Sequence, residues 1–230
     1  MRPLSNYLII LMLMTTLTPV SVTPQELYHL TYPAFGIGAS AGASYYFPSD
    51  LNDYIDLTVP GAIVGIDKEH INAGIDVGLF ITVNLSPSID IVPEFNYLYS
   101  RRAFSQVDLD VVVSHFRLGS TIYYVRHISS DIKLRLGTGL AKYFGAVSWE
   151  YPFSNSQTWD GHTMGYHAAV GAEMQVSDHV TISFTLLGRY ADIETLHDEN
   201  GNPLRVPGST EHLHLNFSGI EAKMDMGYYF

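Results

Sequence analysis

The stretch Ile220-Glu-Ala-Lys-Met-Asp-Met-Gly-Tyr-Tyr-Phe230 closes the chain, and its reading decides the fold. Its residues alternate. Ile220, Ala222, Met224, Met226, Tyr228 and Phe230 share one face of an extended strand, and Glu221, Lys223, Asp225, Gly227 and Tyr229 the other. In a water-soluble sheet the apolar face turns to the core and the charges meet solvent. In a small transmembrane barrel the assignment reverses, so that apolar side chains meet lipid and charges line a polar lumen. The rest of the sequence selects between these two.

From Ala34 onward the dominant period is two, in eight runs: 34–47, 71–85, 89–99, 109–125, 131–144, 163–176, 180–191 and 213–230. The second sets Ile75, Val77, Leu79 and Ile81 against Asn72, Gly74, Asp76 and Gly78; the fourth sets Phe116, Leu118 and Ile122 against His115, Arg117 and Thr121. Two irregularities stand out. Pro93 cannot donate to a ladder and is awkward inside a paired strand, and the phase slips near Ser218 and Gly219, as at a bulge. Connections alternate in length: 86–88, 126–130 and 177–179 are short, whereas 48–70, 100–108, 145–162 and 192–212 are long. An even strand number, short turns at one end and long loops at the other fit a transmembrane barrel. Aromatic pairs at run ends (Tyr45 to Phe47, Tyr97 with Tyr99, Tyr143-Phe144, Tyr228 to Phe230) fit rings at both membrane interfaces. A soluble up-and-down barrel with an apolar interior is the competing reading, disfavoured because the polar face is rich in glycine. The expected fold is therefore all-β: an eight-stranded antiparallel up-and-down transmembrane barrel over 34–230, with short periplasmic turns and long external loops.

The amino terminus reads as a secretory signal over 1–23: Arg2, an apolar run from Tyr7 to Met14, then small and polar residues to Thr23. That run is too short to cross a bilayer as a helix. Cleavage is expected between Ser21 and Pro24, leaving a short segment, 24–33, before the barrel. With 23 acids to 12 bases, and no Cys, the chain is not expected to bind nucleic acid or to rely on disulfides.

With this signal, these eight runs and the terminal Met-Gly-Tyr-Tyr-Phe, the chain resembles the outer-membrane β-barrel superfamily of the OmpA barrel, OmpX-like proteins and opacity proteins. The resemblance implies an outer-membrane location in a Gram-negative bacterium and contact with outer-membrane lipid and lipopolysaccharide. It also implies recognition of the last strand by the barrel-assembly machinery, which assigns Tyr228 and Phe230 as an assembly signal. It is silent on activity.

The inward face would carry Asp76, Glu94, Arg117, Lys133, Arg135, Glu173, Arg189, Glu221, Lys223 and Asp225, acids and bases in equal number. Unpaired charges are costly away from water, so this balance predicts an internal ion-pair network. Glu94, Arg135, Glu173 and Asp225 should sit lower, and Asp76, Arg117, Arg189 and Glu221 higher. An eight-stranded interior is about wide enough for side chains to fill, so a plugged lumen is expected, although many inward glycines leave room for a narrow path.

The long loops are acidic, a solvated surface or a site for cations or a basic partner. Trp149, Tyr151, Phe153 and Trp159 are candidate exposed loop contacts, unless the loops fold over the rim or the strands run on upward. Asp198-Glu-Asn-Gly-Asn202 resembles part of a calcium loop but lacks the later acid and reads more simply as a turn. His212 and His214 are weak zinc candidates with His197, His162 or His167, but no full ligand set is identifiable, so no metal or other cofactor is expected. His127-Ile-Ser-Ser130 comes close to the His-x-Ser-Asn motif of lipid A deacylases, yet the fourth residue departs, a downstream Glu is missing and the segment lies at a periplasmic turn. The expected function is a non-enzymatic structural or surface-interaction role of a monomer, with adhesion or host contact through the loops. The alternative is a small channel or carrier for small or hydrophobic solutes.

Overall fold

The structure is a computed structural model that describes residues 34–58, 70–104, 109–150, 156–206 and 210–230. The signal and the segment that follows it lie outside the described residues, as do Tyr151 and Phe153. Eight antiparallel strands close on themselves: β1 (Ala34–Tyr46), β2 (Ala73–Ser86), β3 (Ile89–Phe104), β4 (Leu109–His127), β5 (Ile132–Glu150), β6 (Gln157–Gln175), β7 (Val180–Tyr190) and β10 (Gly219–Tyr229). A helix, α1 (Ser49–Thr58), follows β1, and two short strands, β8 (Asp192–Ile193) and β9 (Leu215–Asn216), pair with each other outside the barrel.

Paired residues can be followed around the wall from Phe35 through Val83, Ile91, Ile122, Thr138, Ala168, Gly188 and Ile220. The circuit returns to Tyr45, ten residues further along β1. Such a stagger tilts the strands steeply and leaves a bore that side chains fill. Alternation then sorts the residues. Ile75, Leu79, Leu140 and Met226 are 63–67% exposed on the outside, whereas Arg117 and Glu221 are fully buried inside. Nearly every outward residue between the two ends is apolar or aromatic, a band that only a bilayer can cover.

The strands differ in height, and this corrects several expected boundaries. β3 to β6 span 16, 19, 19 and 19 residues, against 13, 14, 11 and 11 for β1, β2, β7 and β10. The stretch 145–162, expected as a loop, is largely the tops of β5 and β6, which stay paired as far as Trp149 and Gln157. One side of the barrel thus rises as a wall above the apolar band. The inner face of this wall is apolar, with Val111, Val113, Val147 and Trp149 all buried. Leu51 and Ile55, one turn apart on α1, pack against the same cluster, together with Ile193, Leu196, Leu213, Leu215 and Phe217 from the β8–β9 region.

The two irregularities resolve locally. Pro93 sits in β3 opposite Ser120 of β4, and on its other side the β2 ladder skips from Phe80–Glu94 to Val83–Ile91, so no hydrogen bond is demanded of it. In place of a bulge, the last run divides: β9 ends at Asn216, whose side chain accepts the Ser218 amide, and β10 begins at Gly219. A Cβ on Gly219 would collide with the Tyr45 carbonyl, so only glycine lets β10 meet β1 there.

Candidate functional site

Two clusters of charge fill the bore. In the lower one Lys133 and Glu173 face each other directly across β5 and β6. Lys133 Nζ lies 3.2 Å from Glu173 Oε1, and Arg135 Nη1 lies 3.1 Å from Oε2. The Arg135 guanidinium stands 4.2 Å from the Tyr123 ring centroid, so an aromatic face covers what the carboxylate does not. Beside them Asp90 accepts a hydrogen bond from the Asn84 amide.

The upper cluster is a continuous chain. Arg189 Nη1 lies 2.8 Å from Glu221 Oε2, which also accepts from Arg117 Nη1 at 2.7 Å. Arg117 Nη2 reaches Glu221 Oε1 and Glu94 Oε2, both at 3.3 Å. Lys223 Nζ completes the run, 2.9 Å from Glu94 Oε2 and 4.0 Å from Asp225 Oδ1. Neutral donors add to the chain: Thr121 Oγ1 donates to Glu94 at 3.1 Å, the Asn96 carboxamide donates to Glu94 at 3.1 Å, and Ser183 and Thr185 donate to Asp225, while Arg117 Nε, Arg189 Nη2 and Asp225 Oδ1 are buried without a hydrogen-bond partner. Arg189 is held further by the Phe217 carbonyl at 2.8 Å and Ser44 Oγ at 3.2 Å. Charges removed from water persist only when partnered in this way.

Of the ten inward charges read from sequence, nine enter these pairs. Asp76 does not: it is buried on β2, with Oδ2 lacking a hydrogen-bond partner. The structure adds residues that sequence reasoning did not place in the network. Asp90 and His167 are buried in the bore, His167 Nε2 lying 2.7 Å from Thr121 Oγ1. His115 is buried between Tyr143 and Phe217, with both ring nitrogens unpartnered. The alternation already assigns these positions inward; the two histidines fall outside a set restricted to Asp, Glu, Lys and Arg, and Asp90, on the same face of β3 as Glu94, belongs in it.

At four of the inward glycines a neighbouring side chain already occupies the space beside the missing Cβ. A Cβ on Gly38 would strike the Phe80 ring, one on Gly78 the Asn96 carboxamide, one on Gly139 the His167 ring and one on Gly137 the Tyr123 ring. Each glycine is the socket for a bulky side chain from a neighbouring strand. Above the charges, Tyr46, Tyr143 and Phe217 begin the apolar cluster that α1 and the β8–β9 region cover.

The crown departs from expectation at its tryptophans. Trp149 lies in β5, 5% exposed, with its ring 5.4 Å from Tyr54 of α1, and Trp159 lies in β6, packed on the same cluster. They hold the cover in place and are not exposed loop contacts. His212 Nδ1 lies 3.1 Å from Thr195 Oγ1, and His214 lies 3.6 Å from Asp192. Among the described residues no three His, Asp or Glu side chains gather as a metal site. Asp198 Oδ1 accepts the Asn200 and Asn202 amides, and Oδ2 accepts the Asn202 carboxamide, bonds that hold its carboxyl below the usual aspartate range. At the opposite end His127 Nε2 lies 3.2 Å from the Pro87 carbonyl, while Ser129 Oγ accepts turn amides. Tyr228 stacks on His179 and meets Phe230 edge to face at this lower rim.

No family model matches the sequence, and no curated protein matches it. Solved structures do match the fold. Surface protein A of Neisseria is 12% identical, with TM-score 0.51 over 85% of this chain and 95% of that one. A major outer membrane protein of Thermus thermophilus is 13% identical, with TM-score 0.54 over 86% of this chain and all of that one. The fold is that of the outer-membrane β-barrels. At such identities the likeness extends to the path of the backbone and the closed strand order. What the interior and crown do must come from this chain's own residues.

Proposed function

We propose that the chain is a monomeric bacterial outer-membrane protein with a sealed lumen, that it is not an enzyme, and that it works through its crown, by adhesion or contact with another surface. One observation carries this reading: the bore is occupied along its height, first by the two ion-pair clusters and then by the apolar cluster beneath α1 and the β8–β9 pair. A diffusion channel needs a continuous wet path, and here the wide glycine positions are filled by Phe80, Asn96, His167 and Tyr123. The wall of β3 to β6 gives the crown a rigid mount, and exposed acids such as Asp53, Glu150, Asp160, Glu194, Glu199 and Glu211 give it a negative face suited to a basic partner. Tyr228 and Phe230 are assigned to recognition by the barrel-assembly machinery.

Planar-bilayer recording of the refolded protein, with liposome swelling in parallel, tests the sealed lumen. Silence in both is expected, and large stable conductance steps would return the channel reading to first place. Binding of crown-intact and crown-trimmed protein to host cells or matrix tests the surface role.

A further inference from the structure

From the lower aromatic level up to and including the upper one, the described outward face of the barrel carries a single charge, Lys142 of β5. Across β4 it faces Leu118 and across β6 Met164, with Leu140 and Phe144 two residues below and above it on its own strand. Among the described residues no acid pairs with it; its Nζ lies 4.9 Å from the Phe144 ring centroid. Because each circuit of paired residues climbs ten positions, the row through Lys142 rises as it passes from strand to strand. Allowing for that climb, Lys142 stands level with Tyr97, Phe116 and Tyr190, the upper aromatic girdle, and His162 lies above it beside Phe144. A lysine stem lies readily along apolar surface while its ammonium reaches the headgroup layer. At that depth the ammonium meets the phosphates of the surrounding lipid.

We infer that Lys142 seats a phosphate of an outer-leaflet glycolipid of the lipopolysaccharide type, whose acyl chains lie along Leu118, Leu140 and Met164 and whose headgroup His162 approaches from above. The inference rests on the outer-membrane placement proposed above, which puts the long-loop end of the barrel in the outer leaflet. Charge argues for this one position. The chain has a formal net charge of −11, and the crown above the girdle is acidic, so anionic lipid is repelled elsewhere along the upper rim and drawn here. Arg101, two strands away on β3, is already engaged by Asp110. A cation in an otherwise uncharged lipid-facing band is stabilised further when a lipid phosphate neutralises the ammonium at the headgroup layer.

Native mass spectrometry of the folded barrel in a neutral detergent tests this, with bisphosphorylated lipid A, dephosphorylated lipid A and phosphatidylglycerol as probes. Lys142→Gln is expected to lose about tenfold in lipid A retention, Lys142→Arg to keep it, and Arg205→Gln on the crown to leave it unchanged. Equal retention by wild type and Lys142→Gln, or equal binding of dephosphorylated lipid A, overturns the site. Phosphatidylglycerol binding as tightly as lipid A overturns the glycolipid assignment. Should Lys142→Gln fail to fold, acylation of the native Lys142 amine, followed by peptide mass, serves instead; lipid A is expected to slow it, and unchanged acylation overturns the proposal. A gel on outer-membrane fractions, in which boiled and unboiled protein migrate differently, checks the barrel and its location independently.

Discussion

Replacing Glu221 by Gln tests the interior network at the residue on which it converges. The carboxylate accepts from Arg117 at 2.7 Å and 3.3 Å and from Arg189 at 2.8 Å, and all three side chains are buried. Glutamine preserves the shape but removes the charge and turns an amide NH2 toward a guanidinium. Arg117 keeps Glu94 at 3.3 Å. Arg189 keeps only neutral acceptors, Ser44 Oγ and the Phe217 carbonyl, so most of the loss falls there. Breaking a buried pair from one side costs about 3–5 kcal/mol. With a urea dependence of about 2 kcal/mol per molar, the unfolding midpoint should fall by roughly 2 M. Arg117→Met should cost less, near the lower end of that range, because Glu221 retains Arg189 and Glu94 retains Lys223 at 2.9 Å. The double variant should be less damaging than the sum of the singles by about 0.5–3 kcal/mol. Urea unfolding in phospholipid vesicles, followed by circular dichroism and by electrophoretic mobility, measures all three. A Glu221→Gln loss below about 1 kcal/mol, or strict additivity, would refute the idea that this chain of charges is mutually supporting.

Further expectations can be checked alongside. Gly38→Leu should fail to reach the folded, heat-modifiable form, because a side chain there meets both the Phe80 ring and the Met226 carbonyl, and Gly38→Leu/Phe80→Ala should recover little of the folded yield because the backbone contact remains. Trp149→Ala removes the ring on which Tyr54 rests and should cost about 3–5 kcal/mol of crown stability, seen as faster proteolytic cleavage near α1 while the barrel band persists. Asp198 has a depressed carboxyl pKa, so its hold on the 198–202 turn is complete above the ordinary aspartate range and fades as pH falls through the lowered value; amide exchange at Asn200 and Asn202 should quicken only in strong acid, and at all pH values in Asp198→Ala. Removing Phe230 should lower the amount assembled in the outer membrane without altering the mobility of what does assemble.

The strand period was legible because lipid and lumen impose opposite demands on neighbouring residues, most plainly in 220–230. The crown was not, because the rule inverts above the bilayer. Val111, Val113 and Val147 are apolar and face inward, against α1, whereas lower on the same strands apolar meant outward. The period alone does not say where the membrane ends, so Trp149 and Trp159 read as exposed loop residues when they belong to strands. The glycines misled for a related reason. An absent side chain reads as space, but which neighbour fills it depends on cross-strand register, and Phe80 reaches Gly38 only because β1 and β2 pair as they do. The inward charges could be assigned from alternation; that Glu94 bridges Arg117 and Lys223, while Asp76 Oδ2 lacks a hydrogen-bond partner, needed the three-dimensional stagger. Lys142 was hidden by its own regular surroundings, one charge within a run of apolar partners.

The native chain contains no cysteine, so single introduced thiols report one position each. Met224→Cys on the outward face and Ser40→Cys in the bore, each reacted in the folded state with a lipid-soluble maleimide and with a membrane-impermeant methanethiosulfonate, test the central claim most directly. The account predicts that Met224→Cys reacts only with the lipid-soluble reagent and that Ser40→Cys reacts with neither until the protein is unfolded. Rapid reaction of Ser40→Cys with the water-borne reagent would contradict the sealed lumen, and the same reaction at Met224→Cys would contradict the barrel's orientation toward lipid.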